Sequence, residues 1–121
     1  MKKMIILFIA SLVLSCAGEK ELSPSETAKI VAESFYYGDK ETLQKYTTKE
    51  GYANLVTVQN MFQEDKESKS NFEVIDEKAQ DVEVWIKYTT SFDLKPGIFK
   101  LVKENGQWKV THNGPRDNGP F

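Results

Sequence analysis

The chain carries one cysteine and one histidine in 121 residues. A lone histidine, His112, cannot build a multi-histidine zinc centre, and a lone thiol cannot close an internal disulfide. No glycine-rich phosphate loop and no Gly-x-Ser-x-Gly elbow occurs, and no local signature supports a Ser-His-Asp arrangement. No apolar run reaches the roughly 20 residues that a spanning helix requires. Positive charge is not in excess either. Sixteen Lys and Arg stand against 18 Asp and Glu, and the lysines are scattered rather than gathered on one face, which argues against nucleic acid as a partner. There is no internal repeat and no low-complexity tract. The residues imply no metal and no cofactor.

What is present begins with the N-terminus, "MKKMIILFIASLVLSC". Lys2 and Lys3 precede an apolar run from Met4 to Leu14 broken only by Ser11. A charged start, a run of about 7–15 apolar residues and a small residue at its end form the pattern of a secretory signal. The alternative is a short membrane or core helix. Val13-Leu14-Ser15-Cys16 resembles the lipobox of bacterial lipoproteins, with Val13 at the branched apolar position and Ser15 at the small one; Leu14 stands where a small or hydroxyl residue is usual. The resemblance implies cleavage between Ser15 and Cys16, and a Cys16 carrying a diacylglyceryl group and a further amide-linked chain such as palmitate. Solitude fits this fate, because a leftover thiol in an exported chain is paired between chains, reactive or consumed by modification. One acyl chain holds a protein only marginally and two or three hold it firmly. The expected location is therefore the cell membrane or outer membrane, through a lipid anchor.

Residues 1–15 then form the signal, 16–22 the lipidated cysteine and a polar spacer, 23–112 one domain and 113–121 a turn-rich tail. Loss of Lys2 and Lys3 leaves 14 basic against 18 acidic residues, a formal charge of −4. Ser23, Pro24 and Glu26 make a capping box with proline at the first helical position. Ala28, Val31, Ala32 and Phe35 form an apolar stripe at helical spacing, and Gly38 ends that helix. Asp39 caps a short second helix burying Leu43 and Tyr46. A third is predicted over residues 49–64, with Tyr52, Leu55, Val56, Gln59 and Phe62 on one face. After Asn71 the period becomes two. Phe72 and Val74 share one face, as do Val82, Val84, Ile86, Tyr88, Thr90 and Phe92, while Glu83, Trp85, Lys87 and Thr89 take the other. Lys95-Pro96-Gly97 reads as a turn before a third strand, and Asn105-Gly106 as the hairpin turn to a fourth.

Helices followed by strands that are wet on one face indicate an α+β domain, with N-terminal helices packed on a curved antiparallel four-stranded sheet. The order is similar to the nuclear-transport-factor-2-like (cystatin-like) superfamily, whose sheet wraps its helices into a cone. "SPSETAKIVAESFYYGDKETLQKY", "FEVIDEKAQDVEVWIKYTT" and "FKLVKENGQWKV" resemble a family of small bacterial lipoproteins with a domain of unknown function, over about Ser23 to Val110. These motifs are structural, and the family brings no catalytic residues.

The resemblance does imply two kinds of site. Some superfamily members are isomerases, dehydratases or cyclases that place an acid and a Tyr or His in the cone. Here Tyr36, Tyr46, Tyr52, Tyr88 and His112 are the candidates, with Asp76 as the acid. The plainer reading makes the tyrosines core residues, His112 a surface residue and Asp76 part of a solvated strand end. The other possibility is a binding module for a small apolar ligand in the cone or for an envelope protein. In that reading Trp85, exposed among lysines on the outer sheet face, contacts a partner or a second copy, unless the tail or such a copy covers it.

Overall fold

The computed structural model describes residues 21–61, 68–112 and 117–121. Ser15, Cys16 and Phe62 lie outside the described residues, as do the signal segment and the start of the tail. Three helices, α1 (Pro24–Tyr37), α2 (Lys40–Lys45) and α3 (Lys49–Gln59), precede four strands, β1 (Glu73–Gln80), β2 (Glu83–Thr90), β3 (Asp93–Glu104) and β4 (Gln107–Thr111). The strands form an antiparallel meander in the order β1-β2-β3-β4. The domain is thus α+β, as its pattern predicts.

Local chemistry sets the helix ends. The Ser23 hydroxyl accepts from the Glu26 N–H at 3.1 Å while the Glu26 carboxylate accepts from the Ser23 N–H at 2.8 Å, so two donors at the start of α1 are satisfied reciprocally. Gly38 closes α1 at φ 77°. Asp39 and Thr48 cap α2 and α3 through the amides of Thr42 and Gly51.

The α1 stripe lies on the inner face of the sheet. Cross-strand register puts Val84 opposite Leu101, Ile86 opposite Phe99 and Leu101 opposite Val110. Val31, Leu43, Ile86, Leu101 and Val110 are each 0–2 % exposed and fill the space between helices and sheet. Burying each such side chain contributes roughly 1.5–3 kcal/mol before the entropy of ordering is counted. The far edge of β4 is covered by the α2–α3 junction, where the Thr48 N–H donates to the Val110 carbonyl at 2.9 Å and the Val110 N–H to Tyr46 at 3.0 Å. A strand edge paired in this way no longer offers a template for aggregation.

Three details differ from the sequence reading. Lys95-Pro96-Gly97 is not the turn; the chain reverses at Ser91-Phe92, and all three residues belong to β3. Tyr88 pairs with Gly97 and Thr90 with Asp93, so Thr89 alone faces Leu94, Lys95 and Pro96. In that irregular stretch Pro96 is not asked to donate to a ladder, which is why a proline is tolerated there. Val82 sits in the β1–β2 turn and is exposed, not part of the inner stripe. Helix α3 ends at Gln59, earlier than predicted. The Asn105-Gly106 turn is as expected, with φ of 53° and 77°.

Candidate functional site

The fold has two distinct poles. At one, α1 begins and β3 ends, with the Glu21 carboxylate 2.9 Å from the Lys103 ammonium. At the other lie the end of α1, the entry to β1 and the β2–β3 turn, and there aromatic side chains gather. Tyr36 stacks on Phe92, with ring centres 4.6 Å apart and planes at 25°. Tyr88 lies between Phe72 at 5.2 Å and Phe99 at 4.7 Å. Tyr37 meets Phe92 edge-on at 5.8 Å, and its hydroxyl donates to the Ser68 carbonyl at 3.0 Å.

Tyr88 reaches this end because the residue opposite it in the ladder has no side chain. A Cβ at Gly97 would stand 2.5 Å from the Tyr88 ring and hydroxyl, so the ring lies on the Gly97 backbone. Burial raises the pKa of the Tyr88 hydroxyl, helped by the neighbouring Tyr36 and Asp93. Burial, and then Asp93, raises that of Tyr36. Both side chains are therefore neutral hydroxyls near pH 7, able to donate a hydrogen bond but not to act as bases. Beside them runs a shallow groove of about 320 Å³ between α1 and the strand entry, lined by Lys29, Glu33, Tyr37, Ser70 and Phe72. Its floor is fixed by Ser70, whose hydroxyl donates to the Glu33 carboxylate at 2.5 Å.

The other candidates lie elsewhere. Asp76 is exposed, its carboxylate accepts from the Glu77 N–H at 2.8 Å, and it faces Lys87 across the strands. A register shift at Ile75 is responsible. Val74 pairs with Tyr88 but Asp76 with Lys87, so the extra residue turns Asp76 to the outer face, away from the tyrosines. His112 is exposed just beyond β4. Tyr52 and Tyr46 pack on the core from α3 and the α2–α3 junction. Of the expected binding residues only Tyr36 and Tyr88 come together. Among the described residues no cluster of three or more His, Cys, Asp or Glu could hold a metal ion, and no helix is long and apolar enough to cross a membrane.

Trp85 points to the outer face, as its alternation predicts, but it is 3 % exposed, not open to solvent. The tail covers it. Gly119, at φ 57°, lies so close that a Cβ there would overlap the indole. The Phe121 ring sits 5.5 Å from the Lys78 ammonium and 5.8 Å from that of Lys87, within the range of cation–π attraction. Sequence reasoning did not see the lysine seat for Phe121 or the rest of Tyr88 on Gly97. One signal was available for the first, since Phe121 is the only large apolar residue of the tail. Comparison of the chain with protein-family models, curated proteins and solved structures finds no match.

Proposed function

We propose that this protein is a lipid-anchored lipoprotein of the bacterial cell envelope, and that its domain acts by binding another envelope protein at the aromatic pole rather than by catalysis. The observation that carries this reading is the separation of the two poles. The lipobox-like segment ends at Cys16, and six spacer residues at no more than about 3.5 Å each keep the α1 start within roughly 25 Å of the anchor. The chain enters the domain beside Lys103, so the Tyr36–Tyr88 end is directed away from the bilayer. Ring faces, neutral hydroxyl donors and an open groove suit a polypeptide surface, in which aromatic anchors dominate binding energy. The filled space between helices and sheet leaves a small apolar ligand the weaker candidate. The order of helices and meander supports a nuclear-transport-factor-2-like cone. An isomerase, dehydratase or cyclase is disfavoured because Asp76, its expected acid, lies on the opposite face from Tyr36 and Tyr88.

Two measurements test this. Mass spectrometry and detergent partitioning should find wild-type protein beginning at an acylated Cys16 in the detergent phase, and Cys16→Ser in the aqueous phase or unprocessed. A native chain starting at Met1 with a free thiol would end the anchor proposal. A photo-crosslinking amino acid at fully exposed Leu94, beside the aromatic pole, should give an adduct with an envelope protein in cells, whereas the same probe at Val82, at the anchor pole, should not. Absence of an adduct at Leu94, or equal adducts at both, would refute binding at the aromatic pole.

A further inference from the structure

The outer sheet face carries a second constellation, remote from the aromatic pole. Cross-strand register sets Lys78, Trp85 and Lys100 in one row across β1, β2 and β3, with Lys87 two residues along β2 from Trp85. The Lys100 ammonium stands 5.7 Å from the centre of the Trp85 ring and 3.0 Å from the Glu83 carboxylate. Lys78 and Lys87 make no ion pair among the described residues; both face the Phe121 ring, and Asp76 stands opposite Lys87 in the ladder.

The tail fills this site incompletely. The Trp85 indole is buried beneath Gly119, yet its Nε1–H meets no acceptor among the described residues. A buried donor without an acceptor is unusual in native proteins and raises the free energy of the tail-docked state. The Phe121 N–H bonds to Asn118 and the Gly119 N–H to Asp117, both within the tail, and among the described residues no backbone hydrogen bond joins residues 117–121 to the sheet.

We propose that the outer face is a binding site for a peptide segment of a partner protein that carries an aromatic ring beside carboxylates, and that residues 117–121 occupy it as an internal competitor. The ring of that segment replaces Phe121 between Lys78 and Lys87. A carboxylate accepts the Trp85 N–H, which the tail leaves unused, and compensates the ammonium groups. A planar ring seat beside an indole favours a peptide over an anionic lipid headgroup, which would use the lysines and leave the aromatic seat empty.

The test compares full-length wild type with Gly119→Val, in detergent micelles. A branched side chain is disfavoured at φ 57° and would overlap the indole, so this change expels the tail without touching the core. The probe is a fluorescein-labelled peptide, Gly-Asp-Phe-Glu-Gly, followed by anisotropy. If the tail covers the site about nine-tenths of the time, apparent affinity for the peptide rises about tenfold in Gly119→Val. Adding Trp85→Phe, which keeps a ring but removes the donor, or Lys87→Gln should each weaken binding at least several-fold. A control peptide with leucine in place of phenylalanine should bind more weakly. Equal affinity in wild type and Gly119→Val, no loss in Trp85→Phe, or binding to phosphatidylglycerol vesicles in place of the peptide would each overturn the proposal.

Discussion

Because the Tyr88 ring rests on the Gly97 backbone, a methyl group added at position 97 would press on the ring. In a strand, alanine is ordinarily favoured over glycine by roughly 0.5–1 kcal/mol, because glycine loses more backbone freedom on folding. At position 97 the opposite should hold. A Cβ there would lie 2.5 Å from the Tyr88 Cζ and hydroxyl oxygen and 2.9 Å from Cε1, so the ring has to tilt away from Phe72 and Phe99, which flank it. Overpacking of this kind costs about 1–3 kcal/mol. Gly97→Ala should therefore destabilise the domain by up to about 2.5 kcal/mol after the entropic gain is subtracted. Replacing Tyr88 by leucine keeps apolar bulk but withdraws the far end of the ring. In that background Gly97→Ala should become neutral or stabilising, giving a coupling of about 1–3 kcal/mol between the two sites. Urea denaturation of the four proteins of the cycle measures this directly, and in a domain of this size each kcal/mol also moves the melting temperature by about 4–8 °C. An equal cost of Gly97→Ala in both backgrounds, or a stabilising effect in wild type, would show that the ring does not rest on this glycine.

Two further outcomes are expected from the same region. The raised pKa values of Tyr88 and Tyr36 mean that the folded chain keeps protons that an unfolded chain releases above about pH 10. This stability is fully present below pH 10 and falls as pH rises, with Tyr88 contributing a slope of at most about 1.4 kcal/mol per pH unit. Tyr88→Phe should make the decline in urea midpoint between pH 9 and 11 visibly shallower, and an unchanged decline would place the hydroxyl in water. Gln59 is buried on α3, and its amide donates to the Phe35 carbonyl at 2.7 Å and that of Ser34 at 3.3 Å, in the last turn of α1. Gln59→Ala should cost about 1–3 kcal/mol in urea denaturation by removing the two bonds that tie α3 to the end of α1; a loss well below that would mean water replaces the amide.

The aromatic pole was half legible in the sequence. Alternation put Tyr88 on the inner face, and helical spacing put Tyr36 near the end of α1, because both patterns depend only on backbone geometry. The partners of these rings were not legible. Phe92 lies in the β2–β3 turn where a strand residue was expected, and Asp76 left the tyrosines because one extra residue at Ile75 reverses the side of every position after it. A bulge of this kind leaves no mark in composition. Pro96-Gly97 misled for a related reason, since the dipeptide reads as a turn wherever it stands, and here it serves an irregular ladder and an aromatic contact.

What the sequence determined by itself is what neighbouring residues decide between them. The Ser23 capping box, the Ala28–Phe35 stripe, the Asn105-Gly106 hairpin and the change of period from helix to strand belong to this class, since each rests on contacts only a few residues apart. Tertiary structure alone decided which strand positions pair, where the shift at Ile75 reverses the alternation, and that the tail folds back to lay Gly119 on Trp85 and Phe121 between Lys78 and Lys87. The tail contacts join residues 34 to 43 positions apart, and only the assembled sheet brings them together.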